Sequence, residues 1–63
     1  MSRWIELRGY EDKPVLVNAD QIREVRQHNQ RTYRTELRMA GLAACVLVCD
    51  DYDTVKRKIL EAE

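Results

Sequence analysis

Residues 42–49 form an uninterrupted apolar run that constrains the fold more than any other feature. The run reads LAACVLVC and contains no polar residue, whereas a strand with one face in water alternates apolar and polar side chains. We therefore expect a fifth strand at residues 43–49 that is covered on both faces. A single helix can cover only one of those faces.

The second face of this strand can be covered in two ways. The sheet can curl into a small barrel, or a second copy of the chain can pack against it. Trp4 and Leu16 are out of phase with the core residues of their strands and, with Leu47, would form such a dimer surface. A 63-residue chain buries only about 60% of its unfolded surface, so its stability margin is thin. We expect a homodimer, with the closed barrel as the alternative.

The remaining segments predict an α+β domain spanning residues 1–63. Alternating side chains predict strands at residues 3–8 and 32–39, with a short strand at 15–17. A third strand is expected after Ile22 and ends at about residue 27. Between the second and third strands, Asn18 and Asp20 predict one tight helical turn, because their side chains bind nearby backbone amides. The architecture is a five-stranded antiparallel β-meander or small half-barrel with one C-terminal helix.

After residue 50 the spacing of the apolar residues changes to that of a helix. Asp50 or Asp51 can cap it, and its apolar stripe consists of Tyr52, Val55, Ile59 and Ala62, widened by Leu60. Lysine and arginine at positions 56–58 point mainly outward. A helix this short is not stable by itself in water, so we expect its apolar face to lie on the sheet.

Charge and cysteine content are those of an ordinary globular protein. Eleven Lys and Arg balance eleven Asp and Glu, and 44% of the residues are hydrophobic, which disfavours a disordered or polybasic chain. The apolar run is far shorter than the roughly 20 residues of a transmembrane helix. Cys45 and Cys49 would lie about 13 Å apart in a strand, too far for a disulfide. We expect a cytoplasmic protein with two buried, reduced thiols.

Several segments together resemble the small FlbD/SwrD-like proteins of bacteria. They are IELRG at residues 5–9, VLVNADQI at 15–22 with Val25, and VLV at 46–48 before YDTV at 52–55 and Ile59. The resemblance implies a turn of the form Asn-x-Asp-x-Ile, a late strand leading to a C-terminal helix, and a non-enzymatic accessory role in flagellar assembly or motility. The family tends to carry a Pro-Asp-Thr turn in the middle hairpin, where this chain has HNQRT at residues 28–32.

The sequence offers no set of residues that would support catalysis. Ser2 is its single serine and His28 its single histidine, so no nucleophile has a neighbouring base. Two glycines do not make a phosphate-binding loop. The acidic residues at positions 50, 51 and 53 are too few for a common cation loop and are better explained by helix capping. We therefore expect no enzymatic activity, no cofactor and no metal site.

Arginines gather in the third and fourth predicted strands and in the hairpin between them. The candidate partner-binding residues are Arg23, Arg26, His28, Arg31, Arg34 and Arg38. Some of them could line an exposed face and meet phosphates. However, Glu24 and Glu36 alternate with them, as in a solvated sheet with cross-strand ion pairs. A solvated face, a protein-docking surface and a nucleic-acid contact all remain open.

The sequence therefore predicts a small interaction protein. We expect an accessory or regulatory subunit, bacterial or from a phage, that docks on a larger protein. The alternative is a small nucleic-acid-binding regulator that uses the arginine-rich face. An exposed aromatic platform for bases is missing apart from Trp4 and Tyr10, which favours protein docking.

Overall fold

The computed structural model describes residues 3–41 and 43–62 and contains five strands and one α-helix within them. Their bounds are β1 Trp4–Arg8, β2 Pro14–Asn18, β3 Ile22–Gln27, β4 Thr35–Met39, β5 Cys45–Val48 and α1 Tyr52–Glu61. The strands form two antiparallel sheets, β1–β2 and β3–β4–β5. The expected α+β architecture, with five antiparallel strands and a C-terminal helix, is confirmed.

The first sheet follows directly from the alternation of its residues. Ile5 and Leu7 point into the core and are at most 6% exposed, while their neighbours in β1 are exposed. In the register with β2, Ile5 lies opposite Val17, and Leu7 opposite Val15. Gly9 follows β1 and leaves room for Val15, because a side chain at position 9 would approach a Val15 methyl group to 2.8 Å.

The turn between the two sheets forms as expected. The Asn18 side chain accepts a hydrogen bond from the Asp20 amide at 3.0 Å and starts a single 3₁₀ turn at Ala19–Gln21. This turn delivers Ile22 to the start of β3, where it is half-buried and packs against the core.

The strands β4 and β5 are shorter than expected. β4 begins at Thr35 rather than at residue 32, because the His28 amide donates to the Arg34 carbonyl at 2.8 Å and leaves residues 29–33 as the loop. β5 begins at Cys45 rather than at residue 43. Residues 43 and 44 are exposed alanines, whose small side chains gain little from pairing with the sheet.

The core lies between the inner faces of the sheets and the helix. Its fully buried side chains are Leu7, Thr35, Leu37, Val48 and Val55. Within the described residues the two sheets remain separate, so the closed barrel that was the alternative to a homodimer is not formed.

The second face of β5 is covered only in part. Cys45 and Leu47 are half-buried on this face, and they lie opposite Arg38 and Glu36 of β4. The Cys45 thiol also donates a hydrogen bond to the Glu36 carboxylate at 3.2 Å. The long side chains of the neighbouring strand therefore supply part of the cover that this face requires. Cys45 and Cys49 are free thiols. We expected both to be buried, but each is only half-buried.

The helix places one predicted apolar residue in water. Val55 is fully buried and Ile59 packs against the core, as the stripe predicts. Leu60, however, is 73% exposed, so its assignment to the stripe was wrong. Consecutive helix positions are rotated by about 100°, and the sheets reach only the side that carries Val55 and Ile59. In the described part of the chain, no helix has the length and apolar character needed to cross a membrane.

Polar groups from the end of β5 and from α1 bind the free edge of β1. The Arg8 amide donates to the Asp50 carboxylate at 2.6 Å, and the Cys49 amide donates to the Arg8 carbonyl at 2.6 Å. Further along, Lys58 Nζ donates to the Glu6 carbonyl at 2.7 Å. Asp50 therefore connects β1 to the second sheet rather than capping the helix, and Lys58 points at the sheet rather than outward.

Asp51 occupies the N-cap position of α1. Its carboxylate accepts a hydrogen bond from the Thr54 hydroxyl at 2.5 Å. This bond is the main reason why the pKa of Asp51 lies below its usual value. The carboxylate thus remains charged beside the positive end of the helix dipole.

Candidate functional site

An ion-pair network occupies the outer face of the three-stranded sheet. Glu24 lies 2.8 Å from Arg26 Nε and 3.6 Å from Arg38 Nε, and Glu36 lies 3.5 Å from Arg38 Nε. The hydrogen bond from Arg26 to Glu24 is the main reason why the pKa of Arg26 is raised. The expected cross-strand pairing is present, and these two arginines are compensated.

Glu36 is the centre of a second set of contacts in the same network. Its carboxylate lies 3.6 Å from His28 Nδ1 and accepts the hydrogen bond from Cys45. This hydrogen bond is the largest cause that raises the pKa of the Cys45 thiol. The thiol is therefore protonated at neutral pH and is a poor nucleophile.

His28 lies beside the sheet rather than at the hairpin tip where the sequence placed it. Its amide continues the β3–β4 ladder by binding the Arg34 carbonyl, and its side chain is 25% exposed. Its Nε2 atom is buried and has no hydrogen-bond partner among the described residues. The imidazole lines the same surface groove as Arg31 and Arg34 of the loop.

A groove of about 370 Å³ lies between this loop and the start of α1. We call it the loop groove, and its lining includes His28, Asn29, Gln30, Arg31, Arg34, Asp51 and Tyr52. Arg31 and Arg34 are exposed, and neither makes an ion pair within the described part of the chain. Asp51 is the single acidic residue of the lining, so the groove carries a local excess of positive charge.

The six candidate partner-binding residues fall into three sets that overlap. Arg26 and Arg38 belong to the ion-pair network, while His28, which also contacts Glu36 of that network, lines the loop groove with Arg31 and Arg34. Arg23 is exposed and lines a different groove together with Arg38, Met39 and Ala44. The alternation of charges along the strands predicted that arginines would pair with Glu24 and Glu36. Which arginines lie in the loop groove depends instead on where the loop closes, at the hydrogen bond between His28 and Arg34.

No family model, curated protein or solved structure matches the chain. Function therefore has to be inferred from the chemistry of its own residues. The guanidinium groups of the loop groove present planar donors suited to carboxylates or phosphates. Within residues 3–41 and 43–62, no group of histidine, cysteine and acidic residues has the arrangement of a metal site.

The three residues expected at a dimer surface lie on two different sheets. Trp4 and Leu16 are 57% and 65% exposed and lie diagonally on the outer face of β1–β2, where Trp4 is opposite Asn18 and Leu16 opposite Glu6. Leu47 lies on the outer face of the other sheet, opposite Glu36, and is half-buried. The structure thus brings Trp4 and Leu16 together and places Leu47 elsewhere.

Proposed function

We propose that this chain is a small non-enzymatic interaction module that binds an acidic segment of a larger protein in the loop groove. The proposal rests on a difference in ion pairing among the arginines of the chain. Arg26 and Arg38 are compensated by glutamates, whereas Arg31 and Arg34 are exposed and make no ion pair among the described residues. Exposed guanidinium groups without a close ion pair, on a loop that joins two strands, are well placed to bind a partner.

The size and lining of the groove suit a short peptide segment. Its volume of about 370 Å³ lies near the lower end of the roughly 300–1,000 Å³ typical of ligand pockets. His28 and Tyr52 are half-buried and offer partly apolar walls, while Asn29 and Gln30 can exchange hydrogen bonds with a peptide backbone. Two arginines on such a surface favour a carboxylate-bearing side chain.

The charge distribution favours a protein over a nucleic acid as the partner. A phosphate backbone is bound by a continuous basic stripe, and here Glu24 and Glu36 interrupt the arginines of β3 and β4. The formal net charge of the chain is zero, so long-range attraction to phosphates is weak. Nucleic acid binding is therefore the alternative, and nuclease treatment distinguishes it from protein docking.

We further propose that the module is an accessory subunit that acts in the cytoplasm as a homodimer. Support for the homodimer comes from the exposed Trp4 and Leu16 on the outer face of β1–β2 and from the small core of a chain this short. The resemblance to FlbD/SwrD-like proteins supports an accessory role in bacterial motility.

Capture from native extract tests the docking proposal. The bait is the wild-type chain, the double variant Arg31→Ala/Arg34→Ala, or Arg57→Ala, which removes an exposed helix arginine outside the groove. If each groove arginine contributes about 1 kcal/mol, the double variant should bind about 30-fold more weakly. The control should bind as the wild type does, and circular dichroism should show that all three baits are folded.

Nuclease treatment separates the two partner classes. Capture of a protein that survives nuclease and is lost with the double variant supports the docking proposal. Capture that disappears with nuclease supports the nucleic-acid alternative. If the double variant captures the same protein as the wild type, the loop groove is not the docking site.

A further inference from the structure

The backbone of Leu16 faces away from β1. The Ala19 amide binds the Arg3 carbonyl at 2.7 Å, and the Gly9 amide binds the Lys13 carbonyl at 2.8 Å. In an antiparallel ladder hydrogen-bonded and non-hydrogen-bonded pairs alternate, so Leu16 and Glu6, which lie opposite each other, form a non-hydrogen-bonded pair. The N–H and C=O of Leu16 therefore point out of the free edge of β2.

This edge is less protected than the other strand edges of the described residues. The edge of β1 is bound by Asp50, Cys49 and Lys58. β3 carries an irregularity in its ladder between Ile22 and Glu24, and β5 is only four residues long. Irregular ladders and short strands are the usual means by which proteins blunt an edge. Along β2 the corresponding feature is a proline at its first position.

The three central residues of β2 read the same in both directions. The strand reads PVLVN and contains no charged residue. If a second copy pairs antiparallel with Leu16 at the centre, Val15 lies opposite Val17 of the second copy. Pro14 lies opposite Asn18 of the second copy, so the missing proline N–H removes one donor at each end of the ladder.

Charges at the ends of the strand do not oppose this register. Asp12 would lie opposite Asp20 of the second copy, but each carboxylate has a guanidinium partner in its own chain: Asp12 is held by Arg8 at 3.1 Å and Asp20 by Arg3 at 2.8 Å. Asp12 also has a positive φ of 61°, so the chain leaves the extended conformation before this position.

We propose that β2 pairs with β2 of a second copy around a two-fold axis at Leu16, which joins two hairpins into a continuous four-stranded sheet. This inference rests on the proposed homodimer and specifies its interface. The two Leu16 side chains, each 65% exposed in the single chain, would meet on the outer face. Together with the diagonal Trp4 residues they form an apolar stripe across the four strands.

The test compares Leu16→Pro with Leu16→Thr. Proline removes the outward N–H but no bond to β1, whereas threonine keeps that N–H and favours the strand. Because two symmetry-related hydrogen bonds disappear, Leu16→Pro should weaken the dimer by roughly 30-fold, measured by analytical ultracentrifugation. Leu16→Thr loses the contact between the two Leu16 side chains but keeps both hydrogen bonds, so it should weaken the dimer clearly less than Leu16→Pro does, which loses both.

Amide hydrogen exchange of the wild-type protein provides a measurement that needs no variant. The Leu16 amide should be protected at high protein concentration and should exchange quickly on dilution, whereas the Val17 amide, which faces β1, should be protected at both concentrations. A wild-type dimer with a Leu16 amide that exchanges quickly at every concentration would overturn the β2 interface and leave the homodimer standing. A wild-type chain that is monomeric throughout would overturn both and leave docking at the loop groove unaffected.

Discussion

Replacing Asp50 with alanine should destabilise the protein far more than its position next to a helix start suggests. The Asp50 side chain is only 9% exposed and lies 3.7 Å from Lys58 Nζ, and it accepts the Arg8 amide at 2.6 Å. A hydrogen bond to a charged group contributes about 1.5–3 kcal/mol. The variant also leaves the Arg8 amide without this acceptor.

The expected loss is a large share of the total stability. A domain of 63 residues has a free energy of unfolding of roughly 3–9 kcal/mol, so Asp50→Ala should remove about 2–3 kcal/mol of it. Asp50→Asn keeps an acceptor oxygen but loses the charge, and we expect a loss of about 1 kcal/mol. Asp53→Ala is the matched control, because this exposed carboxylate in the first turn of α1 should contribute only about 0.3–1 kcal/mol.

Urea unfolding followed by far-ultraviolet circular dichroism measures all three variants. With a slope of about 1 kcal/mol per molar urea, the midpoint of Asp50→Ala should fall by roughly 2 M. Amide exchange adds a local measurement, since the Arg8 amide should lose protection in Asp50→Ala and keep it in Asp53→Ala. Equal midpoints for the alanine variants at positions 50 and 53 would refute the assignment of Asp50 as the connection between β1 and the second sheet.

Three further predictions concern the thiol, the acid response and the helix face. Glu36→Gln removes the carboxylate that raises the pKa of the Cys45 thiol, so alkylation of Cys45 at pH 8 should become faster by mass spectrometry; an unchanged rate would contradict the contact. Arg3 Nε donates a hydrogen bond to the Asp20 carboxylate at 2.8 Å, and this ion pair is the main reason why the pKa of Asp20 is lowered. The contribution of Asp20 to stability is therefore present above its unfolded pKa and is lost as the pH falls through its folded pKa. The stability difference between wild type and Asp20→Asn should therefore shrink below about pH 4, and a constant difference would argue against the ion pair. Val55→Ala should cost about 2 kcal/mol in urea unfolding and Leu60→Lys less than about 0.5 kcal/mol, and similar losses would contradict the orientation of α1.

Local patterns in the sequence were enough to predict most of the fold. The alternation around Ile5 and Leu7 predicts β1, because only one of its faces reaches the core. The turn at Asn18 was predictable because a short polar side chain binds an amide two residues further on. The apolar period around Val55 predicts α1 for the same local reason.

The parts that escaped prediction depend on contacts between distant segments. Capping by Asp50 is a sound local interpretation, but its actual partner is a backbone amide 42 residues away. The cover of Leu47 depends on the register that places it opposite Glu36, which neither strand specifies alone. In the candidate site, Arg31 and Arg34 stand apart from the other arginines because the loop closes at His28.

The binding of β1 by groups from beyond residue 48 has a consequence for the order of folding. Its contacts with Asp50 and Lys58 join residues 42 and 52 positions apart, whereas β3, β4 and β5 pair with near neighbours in the chain. Closing long loops carries an entropic cost, and an isolated two-stranded hairpin is marginally stable. During synthesis at about 5–20 residues per second, the edge of β1 therefore remains open until residues 49–58 have emerged from the ribosome. In that interval of several seconds, the nascent hairpin can pair with strands of other chains, and slower emergence of α1 would increase aggregation without any change in the native state.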